Sequence, residues 1–200
     1  MRHRFLFPAL VTALALTAGC GGPILSPLVI AARQGRLSAI PELIERGADP
    51  NAPSGRNGWT PLLHAIHKNQ IESAQALLEG GARVNGSCCR GMTPLIMAAG
   101  YGQADMVRML LLRGADPWAR STGGLTALDV AVTGVPHIDA FTVGRCQTET
   151  VRALVQHDSD LRLRTGAWGV LDRLAAALKR CPEIEAMLRP ELPNRAGTAP

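Results

Sequence analysis

The chain has 200 residues, of which 46% are hydrophobic, 18% charged and 4% aromatic. This composition favours a sizeable core of Leu, Ala, Val and Ile in one continuous folded domain. The formal net charge is +5, but Arg2 and Arg4 belong to a leader, and without them the basic excess is three. An excess so small and scattered excludes the concentrated basic face of a nucleic-acid-binding protein.

Residues 1–19 have the character of an export signal. A basic start over residues 1–4 precedes an apolar run over residues 5–18, which is too short to span a bilayer comfortably. The ending Leu16-Thr17-Ala18-Gly19-Cys20 resembles the lipobox of bacterial lipoproteins. The resemblance implies a signal peptide over residues 1–19, lipidation of Cys20 and a spacer over residues 20–25.

With Gly21 after the cysteine, the same resemblance implies attachment to the outer membrane of the bacterial cell envelope, facing the periplasm. Membrane contact would then run through the lipid anchor only. The alternative is an ordinary signal peptide that is cleaved nearby.

A triplet returns along the chain with a period of 33 residues, as Thr60-Pro61-Leu62, Thr93-Pro94-Leu95 and Thr126-Ala127-Leu128. A period of this length indicates a solenoid of stacked units. An earlier copy begins at Ser26, with one extra residue in the loop before Asn57. The fourth copy holds an insertion within residues 134–149, and a fifth covers residues 170–189 without the triplet. The repeat domain is therefore predicted over residues 26–189, followed by a disordered tail over residues 190–200.

Each unit is predicted to contain two helices. Ser or Thr at the N-cap and Pro at the first helical position favour the start of the first helix. The second helix carries apolar residues at i, i+3 and i+4, so one face is apolar in every copy. Those positions are Ile40, Leu43 and Ile44; Ala74, Leu77 and Leu78; Val107, Leu110 and Leu111; Val151, Leu154 and Val155; Ile184, Met187 and Leu188. Left-handed residues are predicted after these helices at Gly47, Gly80, Gly114 and Asp158.

The period, the triplet and the Gly-Ala-Asp turns together resemble the ankyrin repeat, with about five copies over residues 24–190. The resemblance implies an all-α ankyrin-repeat solenoid of helix-turn-helix units with finger loops. It also implies a monomer that binds a protein partner through the finger loops and the exposed side of the first helices. Carried onto this chain, that surface comprises Arg33, Gln34, Arg56, Asn57, Trp59, His67, Lys68, Cys89, Arg90, Met92, Gly100, Tyr101, Trp118, Arg120 and Thr122.

The arginines on this surface predict a partner with an acidic face. Trp118 stands where the earlier fingers have Asn51 and Asn85, so it is either a packing substitute or an exposed anchor. Exported proteins of this type include adaptors and inhibitors, such as immunity proteins against envelope-acting toxins and partners in stress defence.

The cysteines and histidines leave two questions open. Cys146 and Cys181 fall at equivalent turns of neighbouring repeats, so either a disulfide or two free thiols is expected there. Cys88 and Cys89 are adjacent, and free thiols are favoured over a strained ring. His64 and His67 share a helical face, but no accompanying motif favours a metal over simple packing.

No catalytic constellation appears in the sequence, so we predict a non-enzymatic protein without cofactor or metal. The alternative is a thiol- or metal-dependent periplasmic protein that uses Cys88 and Cys89.

Overall fold

A computed structural model describes residues 25–133, 146–158, 161 and 179–188. The predicted signal peptide, Cys20, most of the insertion, the first helix of the fifth copy and the tail lie outside the described residues. In the described part, helices are joined by turns and finger loops, with a single isolated bridge between Ser54 and Trp59 and no extended strand. The all-α repeat fold is therefore confirmed.

Nine α-helices follow one another in the described residues, and the first eight alternate between the two kinds of predicted helix. The first helices of the repeats are α1 (Pro27–Gln34), α3 (Pro61–His67), α5 (Pro94–Gly100) and α7 (Ala127–Thr133). The second helices are α2 (Ala39–Glu45), α4 (Ile71–Glu79), α6 (Ala104–Leu112), α8 (Thr148–His157) and α9 (Pro182–Leu188). A short 3-10 helix (Cys89–Gly91) lies in the second finger loop.

Caps fix where the first helices begin. The hydroxyl groups of Ser26, Thr60 and Thr93 accept hydrogen bonds from the backbone N–H three residues later, at 3.3, 3.4 and 3.2 Å. In the fourth repeat Pro is replaced by Ala127, and a carboxylate adds a second cap. Asp129 accepts from both the N–H and the hydroxyl of Thr126, each at 2.9 Å. The caps satisfy N–H groups that have no partner inside the helix.

The helices stack in two rows that share one core. Each first helix packs against the first helix of the next repeat, and each second helix packs against the next second helix. The predicted apolar stripes face inward, and every second helix contributes at least one fully buried side chain to a single cluster. Ala98 and Ala99 are completely buried, as close packing between first helices requires. No repeat could bury this surface alone, so stacking stabilises the domain.

Two of the four predicted left-handed residues are confirmed, and two are wrong. Gly47 and Gly114 have φ of 93° and 83°, whereas Gly80 has φ of −81° and the left-handed residue is Gly81, at 91°. Gly80 has a different reason to be glycine: a Cβ there would collide with the side chain of Ile44 in the preceding repeat. Asp158 is extended at φ −144°, so the fourth repeat does not reproduce the left-handed turn at this position.

The structure contains the Cys146–Cys181 disulfide that the register of the repeats makes feasible. The Cα atoms are 5.6 Å apart, and the sulfur atoms are bonded. The bond joins the residues just before α8 to those just before α9, and these two helices also pack against each other. The terminal repeat is therefore tied to the fourth by a covalent link as well as by apolar contact.

Candidate partner-binding surface

Three finger loops project from the repeats, and each is closed by a backbone hydrogen bond. The bonds run from Ser54 N–H to the Trp59 carbonyl at 2.9 Å, and from Cys88 N–H to the Met92 carbonyl at 3.1 Å. In the third finger, the bond runs from Ser121 N–H to the Leu125 carbonyl at 3.0 Å. We define a front surface that consists of the finger residues 54–59, 88–92 and 120–125 and the exposed sides of α1, α3, α5 and α7. It also includes the residue that follows each of α1, α3 and α5.

Asparagine side chains hold the fingers at fixed spacing. Asn51 donates to the Gly81 carbonyl at 3.0 Å and accepts from Arg83 N–H at 2.8 Å. Asn85 repeats this pattern one unit later, with the Gly114 carbonyl at 3.1 Å and Asp116 N–H at 2.8 Å. Each asparagine therefore braces its own finger against the next repeat.

Trp118 takes over this bracing role in the third finger. Its indole N–H donates to the carboxylate of Asp158 at 3.1 Å, and Asp158 stands in the fourth repeat where Gly114 stands in the third. The side chain nevertheless remains 43% exposed. Trp118 therefore acts as a substitute for the asparagine brace, and its role as an exposed anchor for a partner stays a prediction.

The structure places most of the predicted partner-binding residues at the surface. The exposed residues are Gln34, Arg56, Asn57, Lys68, Cys89, Arg90, Trp118, Arg120 and Thr122, while Arg33, His67, Met92 and Tyr101 are partly buried. Gly100 is buried, and so is Trp59, which is only 8% exposed. Trp59 therefore does not lie on the surface as predicted; it supports the first finger from beneath.

Trp59 belongs to an aromatic cluster that links the first finger to two repeats. Its ring lies 5.4 Å from that of His64 and 5.2 Å from that of His67. The His67 ring in turn lies 5.5 Å from Tyr101, and its Nδ1 is 2.9 Å from the Tyr101 hydroxyl. The spacing of one repeat between His67 and Tyr101 is the sequence signal for this contact. The cluster makes the centre of the front surface rigid.

His64 is the buried member of this cluster, and it is held neutral. Its Nε2 lies 3.3 Å from the Ser54 carbonyl and donates to it, which leaves Nδ1 unprotonated. Burial lowers the pKa of His64, and the charges of Arg33 and His67 lower it further, against the hydrogen bond to Ser54, which raises it. A second proton would place a buried charge beside an arginine.

Acid should therefore destabilise the fold through His64. The lowered pKa means that the unfolded chain binds a proton below a pH of about 6.5 while the folded protein does not. The stability that the neutral His64 ring contributes is fully present above that pH and is lost as the pH falls towards the folded pKa. The free energy of unfolding then decreases by at most ~1.4 kcal/mol per pH unit. His64→Gln keeps a donor for Ser54 and cannot titrate. We expect melting temperature to fall more between pH 7 and pH 5 in the wild type than in this variant; parallel curves would contradict the assignment.

Charge is divided between the two sides of the solenoid. The front surface carries Arg33, Arg56, Lys68, Arg90 and Arg120, and none of these forms a salt bridge within the described residues. Its one carboxylate, Asp129, is buried, and burial raises the pKa of this group against the hydrogen bonds from Thr126 and the charge of Arg120. The front surface therefore presents uncompensated positive charge.

On the opposite side, four arginines are paired with carboxylates. Salt bridges join Arg46 to Glu42 at 2.6 Å, Arg113 to Glu79 at 3.1 Å and Arg152 to Glu149 at 3.1 Å, measured between nitrogen and oxygen. Arg108 bonds Asp105 at 2.6 Å. These pairs lie along the second helices, so the face they cover attracts an anionic partner far less than the front surface does.

Cys88 and Cys89 are free thiols with sulfur atoms 3.1 Å apart. Burial, with the hydrogen bond to Cys89, raises the pKa of Cys88 to about 12. Across the described residues, no three His, Cys, Asp or Glu side chains are grouped as a metal ion would require. No helix in the same ranges is long and apolar enough to cross a bilayer.

Comparison with known proteins agrees with this architecture. Residues 28–121 match the family model described as ankyrin repeats (3 copies). The chain is 37% identical over 107 residues to a B-cell lymphoma 3 protein homolog of Mus musculus, covering 54% of this chain and 24% of that protein. It is 35% identical over 109 residues to the mouse nuclear factor NF-kappa-B p105 subunit, covering 54% and 11%.

A bacterial relative is also found. The chain is 32% identical over 113 residues to a putative ankyrin repeat-containing protein of Treponema pallidum (strain Nichols), covering 56% of this chain and 37% of that protein. The matches span only 24%, 11% and 37% of the length of these three relatives. Ankyrin repeats mediate binding between proteins and are generally non-enzymatic.

Proposed function

We propose, from the premise that residues 28–121 are ankyrin repeats, that this protein is a non-enzymatic, lipid-anchored periplasmic module that binds an acidic protein partner. It acts as an adaptor or as an inhibitor, for example as an immunity protein against an envelope-acting toxin or as a partner in stress defence. The observation that carries the proposal is a row of cations on the front surface that, within the described residues, form no salt bridge and have no exposed carboxylate beside them on that surface. Rigid fingers keep the ordering cost of binding low.

Two features support the periplasmic location. The leader ends in Leu16-Thr17-Ala18-Gly19-Cys20, and the Cys146–Cys181 disulfide suits an oxidising compartment. Lipidated Cys20 would then hold the solenoid at the membrane, with the front surface free to meet an envelope protein.

Reversing the front charges should abolish capture of the partner. We expect the amount of each specific partner captured to fall at least about tenfold in the triple variant Arg56→Glu, Arg90→Glu, Arg120→Glu. The reason is that three attractive charges become repulsive. Immobilised full-length protein would be incubated with envelope extract, and captured proteins quantified by mass spectrometry at low and high salt. Screening should weaken wild-type capture as salt rises.

The matched control is Arg46→Glu, Arg113→Glu, Arg152→Glu. It changes the net charge by the same amount, but on the opposite side of the solenoid. The exposed salt bridges that it breaks each contribute only about 0–1 kcal/mol to stability. Equal loss of capture in both variants would show that net charge, rather than the front surface, governs binding. Unchanged capture by the front variant would move the site elsewhere.

Lipidation is tested directly at Cys20. Cells expressing the wild type should incorporate a fatty-acid analogue into the protein, and Cys20→Ser should not, since only the cysteine thiol can carry the lipid. Membrane fractionation should follow the label. Equal labelling of the two proteins would contradict the anchor and favour an ordinary signal peptide.

The alternative function, a thiol- or metal-dependent protein, is favoured by one observation, the short distance between the Cys88 and Cys89 sulfur atoms. The double variant Cys88→Ser, Cys89→Ser separates the two functions. Loss of cellular function in this variant, with partner capture intact, would favour thiol chemistry. Intact cellular function would favour the proposal that the protein is a binding module.

A further inference from the structure

The second finger presents two thiols side by side. Cys89 is exposed and Cys88 partly buried, and their sulfur atoms lie 3.1 Å apart. They are the free cysteines of the described residues, since Cys146 and Cys181 are bonded to each other. The charge attraction proposed for partner binding does not depend on either sulfur atom.

Backbone hydrogen bonds fix this pair from several directions. Gly91 N–H donates to the Cys88 carbonyl at 3.0 Å, and Met92 N–H donates to the Cys89 carbonyl at 3.3 Å. The third finger adds a bond from Thr122 N–H to the Arg90 carbonyl at 2.8 Å. Arg90 and Gly91 are both left-handed, at φ 59° and 67°, so the chain turns tightly directly after the two cysteines. The backbone that carries the two thiols is therefore held in place before any ligand arrives.

The distance between the sulfur atoms selects among the ways in which two thiols can react. Adjacent residues have Cα atoms only ~3.8 Å apart, less than the ~4.4 Å minimum of ordinary disulfides, so direct oxidation gives a strained ring. With bonds of ~2.3 Å to each sulfur, a tetrahedral ion needs the sulfurs ~3.8 Å apart and a linear ion ~4.6 Å. The observed 3.1 Å corresponds to a bond angle of about 85° at the bridging atom.

We propose that Cys88 and Cys89 form a chelating site for trivalent arsenic compounds. Trivalent arsenic is thiophilic, and its lone pair compresses the angles between its bonds towards a right angle. The site holds the arsenic atom across both sulfurs with little change in their spacing, and the third arsenic substituent points to solvent at exposed Cys89.

The reaction is balanced without an oxidant. Two As–O bonds of an arsonous acid, R–As(OH)2, break and two As–S bonds form. Each thiol proton leaves with one hydroxide, so two waters are released and no atom changes its oxidation state. Burial raises the pKa of Cys88 to about 12, and a neutral thiol is compatible with this exchange because its proton has an acceptor in the leaving hydroxide.

The test uses the full chain and phenylarsine oxide, without prior reduction, so that the Cys146–Cys181 disulfide stays intact. Intact-mass analysis should show one chelated arsenic per protein, and peptide mapping should locate it at Cys88 and Cys89. Excess glutathione should not release it, whereas 2,3-dimercaptopropanol should. Cys20 is the same in every variant, so it cannot account for a difference between them.

Three variants decide the outcome. Cys88→Ser and Cys89→Ser should each weaken affinity at least about 100-fold, because the second bond is no longer intramolecular. The double variant Ser87→Cys, Cys88→Ser keeps two thiols in the same loop but spaces them two residues apart, and should bind about tenfold more weakly than the wild type. Single variants within about threefold of the wild type would overturn chelation. If the Ser87→Cys, Cys88→Ser variant binds as tightly as the wild type and melts at the same temperature, the spacing of Cys88 and Cys89 does not matter. That result would overturn the proposal of a preorganised site.

Discussion

Leu110→Ala should lower the free energy of unfolding by about 2–5 kcal/mol. Leu110 is fully buried in α6, which packs against α4 on one side and α8 on the other. Neighbouring repeats hold these helices in place, so the cavity left by the lost atoms cannot collapse. The cost therefore includes both lost transfer energy and a persistent void.

Leu112→Ala is the matched control, because it makes the same change two residues away in the same helix. The Leu112 side chain is 84% exposed, and alanine is at least as good a helix former as leucine. Its effect should stay within about 0.5 kcal/mol. Urea unfolding followed by circular dichroism measures both variants. Similar shifts for the two would contradict the orientation of α6.

The sequence predicts those parts of the fold that depend on local and repeated signals. Thr93 marks the start of α5 because a hydroxyl and the following proline act within one helical turn. The spacing of Val107, Leu110 and Leu111 predicts the buried face of α6, because helix geometry alone brings them together. Repetition then carries each assignment to the neighbouring unit.

Other details depend on contacts between repeats, which spacing does not reveal. The repeat period itself marks Gly81 as the turn residue, because Gly81-Ala82 lies 33 residues before Gly114-Ala115. Spacing does not reveal that a Cβ at Gly80 would meet the side chain of Ile44. Nor does it reveal that Asp158 is extended.

In the candidate site, too, some features can be predicted from the sequence and others depend on contacts in the folded chain. Family resemblance places Arg56, Arg90 and Arg120 on the fingers, and the structure leaves all three exposed. The burial of Trp59 was missed, because it depends on how the first finger folds over His64 and His67. The charge division was also missed, since it appears only when second-helix salt bridges are compared with the front surface.

The terminal repeat has neighbours on one side only among the described residues, so its attachment should depend strongly on the disulfide. Cys146 and Cys181 are separated by 35 residues, and the entropy of closing a loop of that length in the unfolded chain corresponds to about 4 kcal/mol. Helix α9 adds apolar contact through Ile184, with Met187 and Leu188 partly buried. Without the covalent link, this contact alone must hold the repeat.

The variant Cys146→Ser, Cys181→Ser should therefore lose about 2–4 kcal/mol, concentrated at the C-terminal end. Hydrogen exchange should show faster opening of α9 and then α8, while α1 to α6 keep their protection, because each repeat contacts only its neighbours. A mild reductant acting on the wild type should reproduce the effect. Cys88→Ser, Cys89→Ser removes two unbonded thiols and should change stability by less than about 1 kcal/mol. Equal protection of α9 in both double variants would show that apolar packing, and not the disulfide, holds the end of the solenoid.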